Sequence, residues 1–182
     1  MATPISTSSV VDEGGNVICC KYIKTGFNSP GVISASSKSV LGGATANLVN
    51  AGATLTMTAD LHLGTVVALN AATGSAVTLP AATGTGNMYT VLVTTTVTSN
   101  ASTITCAGSD KLYGAFFLGS TTATLTAASI VALNANTIIS MNGTTTGGII
   151  GSVVYLTDVA TNVWLVEANL VGSGTTVITG IT

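Results

Sequence analysis

Apolar and polar residues alternate along much of this chain with the two-residue period of a β-strand. The alternation is clearest in residues 54–58, 89–93 and 122–126. Threonine, which recurs in these segments, suits them because its branched Cβ fits a pleated strand while its hydroxyl stays hydrated. The pattern therefore predicts strands that bury one face and expose the other.

Glycine and proline interrupt the predicted strands at short intervals. Residues 65–70 and 75–79 are separated by a connection of hairpin length that ends in Gly74. Pro80 ends the second of these runs, because proline has no N–H to offer to a β-ladder. We therefore expect a hairpin here, followed by a loop rich in glycine and threonine.

The same alternation of strand and turn continues to the end of the chain. Asn142-Gly143 and Gly147-Gly148 are typical of turns, and residues 127–136 are a candidate for a helical turn. About ten short strands at such spacing predict an all-β fold, a compact antiparallel sandwich or barrel with an extended N-terminal arm.

Thr-x-Thr triplets recur along the chain, at residues 54–58, 94–98, 103–105 and 122–126. Stacked triplets would be typical of a β-solenoid that presents rows of threonine to ice. A solenoid requires a fixed period, however, and these triplets are unequally spaced. The sequence therefore disfavours a solenoid.

The first 50 residues differ from the rest in charge and pattern. They contain half of all charged residues, namely Asp12, Glu13, Lys21, Lys24 and Lys38. They also carry an apolar group that a solvated tail would lack, made of Val17, Ile18, Tyr22, Ile23 and Phe27. We interpret residues 1–50 as an N-terminal arm or irregular subdomain and residues 51–182 as a β domain. A terminus without function is the alternative.

Charged residues make up only 5 % of the chain, against roughly 25 % in ordinary soluble proteins. There is no arginine, and polarity comes from hydroxyls, including those of 33 threonines. This composition argues against nucleic-acid binding, which needs clusters of lysine and arginine to neutralise phosphates.

The mean hydropathy is +0.67, yet threonine, asparagine and glycine interrupt every apolar run before it reaches the roughly 18 residues of a membrane helix. No basic segment followed by an apolar one stands at the N-terminus, so no secretory signal is predicted. We expect instead that apolar surface is buried between subunits, because obligate interfaces resemble a domain core.

Candidate catalytic chemistry is sparse. Asp60 and His62 would share one face of a strand, but no Gly-x-Ser-x-Gly motif accompanies them. A structural histidine beside a turn-capping aspartate is the favoured interpretation. Asp110, Asp158 and Glu167 are too dispersed to predict a calcium site. We expect no enzyme activity, no metal and no cofactor.

The three cysteines, Cys19, Cys20 and Cys106, do not form a pattern typical of a disulfide framework or a zinc site. We expect reduced, buried thiols in a protein made in the cytoplasm. An intermolecular bridge through Cys19 or Cys20 is the alternative.

Residues 54–118 carry a family resemblance. The run L-N-A-A-T-G-S-A-V-T-L-P-A-A-T-G-T-G, followed by a β segment and by I-T-C-A-G-S-D-K-L-Y-G, is similar to the head decoration (cement) proteins of tailed bacteriophages. Residues 163–167, with the only tryptophan, resemble a late strand of the same group. The resemblance implies a homotrimer, made in the host cytoplasm, that binds the major capsid protein on the outer surface of the virion.

Two sets of contact residues follow from these predictions. We expect the N-terminal arm to contact the capsid through Val17, Ile18, Lys21, Tyr22, Lys24 and Phe27. Aromatic residues are enriched at subunit interfaces, and the candidates are Tyr113, Phe116, Phe117 and Trp164. Ordinary core burial is the other interpretation of these aromatics.

A second functional hypothesis stays open at this point. The same composition is typical of a trimeric fibre or adhesin module that binds a glycan of the host surface. In that case residues 144–148 would form the contact loop.

Overall fold

The computed structural model describes residues 48–122 and 129–174. Strands make up 53 % of this part and helix 3 %, which confirms its all-β character. The elements are β1 (Leu48–Asn50), β2 (Thr54–Thr56), α1 (Ala59–His62), β3 (Val66–Leu69), β4 (Ala76–Thr78), β5 (Met88–Val93), β6 (Ser102–Thr105), β7 (Lys111–Ser120), β8 (Ser129–Asn136), β9 (Ile138–Met141), β10 (Val153–Ala160) and β11 (Val163–Gly172).

The strands form two sheets. One has seven strands in the order β1-β3-β5-β10-β11-β7-β8, and the other has four in the order β2-β4-β6-β9. Both sheets are mixed, so the prediction of an antiparallel arrangement is wrong for a large part of the fold. The predicted hairpin between residues 65–70 and 75–79 is also wrong, because β3 and β4 belong to different sheets.

The first six strands alternate strictly between the two sheets. β1, β3 and β5 are parallel neighbours in the larger sheet, and β2, β4 and β6 are parallel neighbours in the smaller one. The chain thus winds like a short solenoid. Its coils differ in length, since Leu48 pairs with Val66 and Val66 with Thr90. The Thr-x-Thr triplets do not mark successive coils, because residues 94–98 follow β5 and β4 carries no triplet.

The later strands complete both sheets. β10 pairs antiparallel with β5 and β11, and β11 pairs in parallel with β7 along ten residues. Residues 129–136, part of the candidate helical turn, form the edge strand β8 beside β7. The last residues of the predicted arm, Leu48–Asn50, form the other edge strand, and the rest of the arm lies outside the described residues.

One hydrophobic core unites the described strands. Its members come from both sheets and follow the two-residue period, as in Val154, Leu156, Val166 and Leu170. Trp164 is fully buried and meets the ring of Tyr89 edge-on, with centroids 5.6 Å apart and planes at 70°. Such a pair contributes about 1 kcal/mol beyond its buried area.

Gly114 lies in the middle of β7, where a side chain has no room. Its φ is +130°, and a Cβ built there would collide with the carbonyl oxygen of Val166 on β11. Glycine is required here both by the backbone conformation and by the close approach of the neighbouring strand.

We expect Gly114→Ala to lower the free energy of unfolding by about 3 kcal/mol, because backbone strain and a steric clash act together. Gly119→Ala on the same strand is the matched control, since its Cβ would meet only the ring edge of Phe117 at 3.3 Å. Urea denaturation of both variants measures the difference. Equal losses in the two variants would contradict the argument.

Candidate functional site

Asp60 and His62 lie in α1 and not in a strand, so they do not share a face. Asp60 is exposed, whereas His62 is 3 % exposed. His62 Nδ1 accepts the backbone N–H of Thr58 at 2.9 Å, and Thr65 Oγ1 donates to the carbonyl of His62 at 2.8 Å. His62 is therefore a hydrogen-bonded part of the turn, and it does not form a dyad with Asp60.

A buried carboxylate organises the loop of residues 80–87, which joins β4 to β5. Asp158, near the end of β10, is 3 % exposed. Its oxygens accept the N–H groups of Thr83 at 2.9 Å, Gly84 at 2.6 Å and Thr85 at 3.1 Å. The hydroxyl of Thr85 adds a fourth bond at 2.7 Å, and that of Thr83 a weaker one at 3.3 Å.

The backbone of the same loop is fixed on both sides of this carboxylate. Gly86 donates to the carbonyl of Asp158 at 2.8 Å, and Asp158 donates to that of Asn87 at 2.9 Å. Upstream, Ala82 donates at 2.7 Å to a second buried carboxylate, that of Asp110. Asp158 therefore holds the glycine- and threonine-rich loop, which belongs to the stretch with the family resemblance. We call these hydrogen bonds to Asp158 the clamp.

These contacts determine the charge state of Asp158. Burial by itself raises the pKa of its carboxyl, but hydrogen bonds from the Thr85 hydroxyl and from the N–H groups of Thr85, Gly84 and Thr83 outweigh burial. They lower the pKa from 3.8 to about 2. The carboxylate is thus charged in the folded protein across the physiological range, and backbone donors stabilise it.

Cys106 is a free, buried thiol. Burial, and to a smaller extent the charge of Asp110, raise the pKa of this thiol to about 12 against the opposing charge of Lys111. The thiol therefore stays protonated and unreactive, as expected for Cys106. Cys19 and Cys20 lie outside the described residues.

The loop of residues 142–148 uses its polar groups internally. Asn142 Oδ1 accepts the N–H groups of Thr144, Thr145 and Thr146 at 2.8–3.1 Å. Asn142 Nδ2 donates to Thr145 Oγ1 at 2.8 Å, and Thr146 Oγ1 accepts the N–H of Asn142 at 3.1 Å. Much of the hydrogen-bonding capacity that a glycan would use is thereby already engaged.

The four aromatic residues predicted for a subunit interface lie on opposite faces of the larger sheet. Trp164 and Phe116 point into the core of the single chain, where they are 0 % and 5 % exposed. Tyr113 and Phe117 point outwards and are exposed. Because a core side chain cannot touch a neighbouring subunit, the candidate interface narrows to Tyr113 and Phe117.

Other exposed and half-buried side chains of the larger sheet extend this candidate surface. Strands β5, β10, β11, β7 and β8 are in register, so their outward positions form three rows. We call this surface the apolar face. Its rows are Leu92, Val153, Asn169, Phe117 and Ile130; Thr90, Tyr155, Glu167, Ala115 and Ala132; and Met88, Thr157, Leu165, Tyr113 and Asn134.

The apolar face holds most of the large hydrophobic side chains that the described chain exposes. Ile130, at 79 %, and Met88, at 62 %, are the extremes, and Phe117 is 44 % exposed. Among its rows the only ionisable carboxylate is that of Glu167. Exposed apolar surface of this kind makes the face a candidate interaction site.

The smaller sheet has an outer surface of different chemistry. Threonine triplets from β2 and β6 flank β4, and the outward positions form two uncharged rows. These rows are Thr54, Ala76, Thr103 and Ser140, and Thr56, Thr78, Thr105 and Ile138. This surface is rich in hydroxyls, so it is the more readily hydrated of the two outer faces.

The six residues predicted to contact the capsid, Val17, Ile18, Lys21, Tyr22, Lys24 and Phe27, lie outside the described residues. Within residues 48–122 and 129–174, no three His, Cys, Asp or Glu side chains come together as a metal site would require. No helix in that part is long and apolar enough to cross a membrane.

Comparison with protein-family models, with curated proteins and with solved structures gave no match to this chain.

The clamp at Asp158 makes stability depend on pH. The folded-state pKa is lowered, so the stabilisation is fully present above the ordinary value of 3.8 and is lost as pH falls towards about 2. We expect the free energy of unfolding to decrease over this acid range. Urea denaturation at a series of pH values measures it.

Asp158→Asn should remove most of that acid dependence and lower the free energy of unfolding at neutral pH by about 2 kcal/mol, because hydrogen bonds to a charged acceptor are lost. Asp60→Asn, at an exposed carboxylate, is the control and should change stability by less than about 0.5 kcal/mol. An acid profile in Asp158→Asn that runs parallel to that of the wild type would refute the role of the clamp.

Proposed function

We propose that this protein is a decoration (cement) protein of a tailed-bacteriophage head. It assembles as a homotrimer and binds the major capsid protein on the outer surface of the virion. The observation that carries the proposal is the apolar face, an exposed surface of the β domain that a protein partner would cover. The resemblance of residues 54–118 to that family supports it independently.

The mechanism is adhesion by shape and area. Because a decoration protein binds only the assembled shell, its binding shifts the equilibrium towards that state by mass action. Three weak contacts on one rigid trimer also reinforce one another by avidity. The low charge of the chain fits such contacts, since they do not depend on long-range attraction that salt would screen.

In this proposal the two regions of the chain have separate tasks. Residues 51–182, together with β1, form a two-sheet sandwich that trimerises, and the single core shared by both sheets supports this arrangement. The residues that precede β1 form the arm that contacts the capsid. The apolar and basic residues of the arm support this assignment.

The alternative is a trimeric fibre or adhesin module that binds a glycan. It would use the loop of residues 144–148, in which the hydroxyls of Thr144 and Thr145 already bond to the side-chain amide of Asn142. A glycan site also needs an exposed aromatic ring beside free polar groups. The internal hydrogen bonding of this loop therefore favours the decoration protein.

The direct test uses purified capsid shells that lack the protein. We expect it to elute as a trimer in light scattering on a sizing column and to co-sediment with the shells. The loaded shells should resist heat better than bare shells, since binding favours the assembled state. A trimer that does not bind the shells would instead favour the adhesin hypothesis.

Deletion of residues 1–41 tests the arm. We expect the truncated protein to remain a trimer and to lose co-sedimentation with shells, because the proposed contact residues are absent. Tyr22→Ala with Phe27→Ala in the full chain should weaken binding in the same assay, whereas Thr3→Ala with Thr7→Ala is the matched control. Full binding by the truncated protein would overturn the assignment.

A further inference from the structure

We infer that the apolar face is the surface on which one copy of this chain docks onto a second copy. The inference rests on the proposed homotrimer and identifies the surface that builds it. It replaces the sequence-based set of four aromatics, two of which are core residues, with a continuous face centred on β10, β11 and β7.

The size of the face is a substantial part of what a stable interface requires. Five strands about 4.8 Å apart, with rows that span five residues or about 17 Å along each strand, cover an area on the order of 400 Å². A standard interface buries roughly 800 Å² of accessible surface on each partner. The face can therefore supply about half of an interface by itself.

The shape of the face provides both parts of a fit. Phe117 and Ile130 are paired across β7 and β8 and project from one corner. Directly beside them, Ala115 and Ala132 are paired and carry only methyl groups. Large side chains of one copy can thus pack over the small ones of another, which is consistent with a second copy as the partner.

The outer side of the larger sheet also carries one positive and one negative side chain, so two copies can pair opposite charges. Lys111 and Glu167 both occupy outward positions, on β7 and β11. Glu167 is aligned with Ala115 and Lys111 with Val163, so the two lie four positions apart, or about 13 Å along the strands. They are too distant to pair within one copy. Lys111 of one copy can instead meet Glu167 of the next.

A charge-reversal set tests this pairing. Glu167→Lys and Lys111→Glu should each raise the dissociation constant of the oligomer by about tenfold or more, because like charges then face each other in the interface. The double variant should restore most of the association. Light scattering over a range of protein concentrations gives the constants.

A second pair of variants covers any folding defect in the first set. Ile130→Glu places a charge at a highly exposed position of the face and is expected to give monomers with an unchanged β circular-dichroism spectrum. Thr56→Glu places the same charge at an exposed position of the smaller sheet and should leave the oligomer intact.

The outcomes separate this inference from the proposed function. Monomeric Ile130→Glu together with rescue by the double charge reversal supports the docking surface. Intact oligomers in every variant would overturn it while shell binding stands. A wild-type monomer whose shell binding is lost in Ile130→Glu would also overturn it, because the face would then contact the capsid. A wild-type oligomer that ignores shells would refute the proposed function alone.

Discussion

The fold depends on the carboxylate of Asp158 and the loop that it holds. Residues 80–87 carry the chain from β4 in the smaller sheet to β5 in the larger one. A crossing of this kind leaves backbone N–H groups without ladder partners, and burying them unpaired costs about 1–3 kcal/mol each. Asp158 accepts three of them. It thereby fixes the point at which β5 begins.

The position of β5 in turn aligns the whole larger sheet. β5 is the strand where the solenoid-like first half meets the second half, through its antiparallel pairing with β10. A slip of one residue at that junction would send every side chain of β5 to the opposite face. The rows of the apolar face exist because this register is fixed, and they combine residues from five separate segments of the chain.

Local pattern predicted the strands well and their partners poorly. The alternation at residues 54–58 and 89–93 located β2 and β5, because a two-residue period reflects burial of a single strand. Parallel pairing depends on contacts between distant segments, so the apparent hairpin after β3 could not be distinguished from a crossing between sheets. Asp158 looked isolated for the same reason, since its partners lie 73–75 residues away. The opposite orientations of Phe116 and Phe117 could have been predicted from the sequence, because neighbouring residues in a strand face opposite sides of the sheet.

The few charges of the chain acquire distinct roles in this arrangement. Asp110 and Asp158 are buried and serve the loop, so Asp60, Lys111 and Glu167 are the charged side chains that the described part leaves at least partly accessible. A surface with so few charges cannot steer a partner from a distance, and its affinity must come from close apolar contact. On the docking surface that we propose, Lys111 and Glu167 would act on register and selectivity rather than on the strength of association. High hydropathy and low charge both fit a broad face that matches its partner at short range.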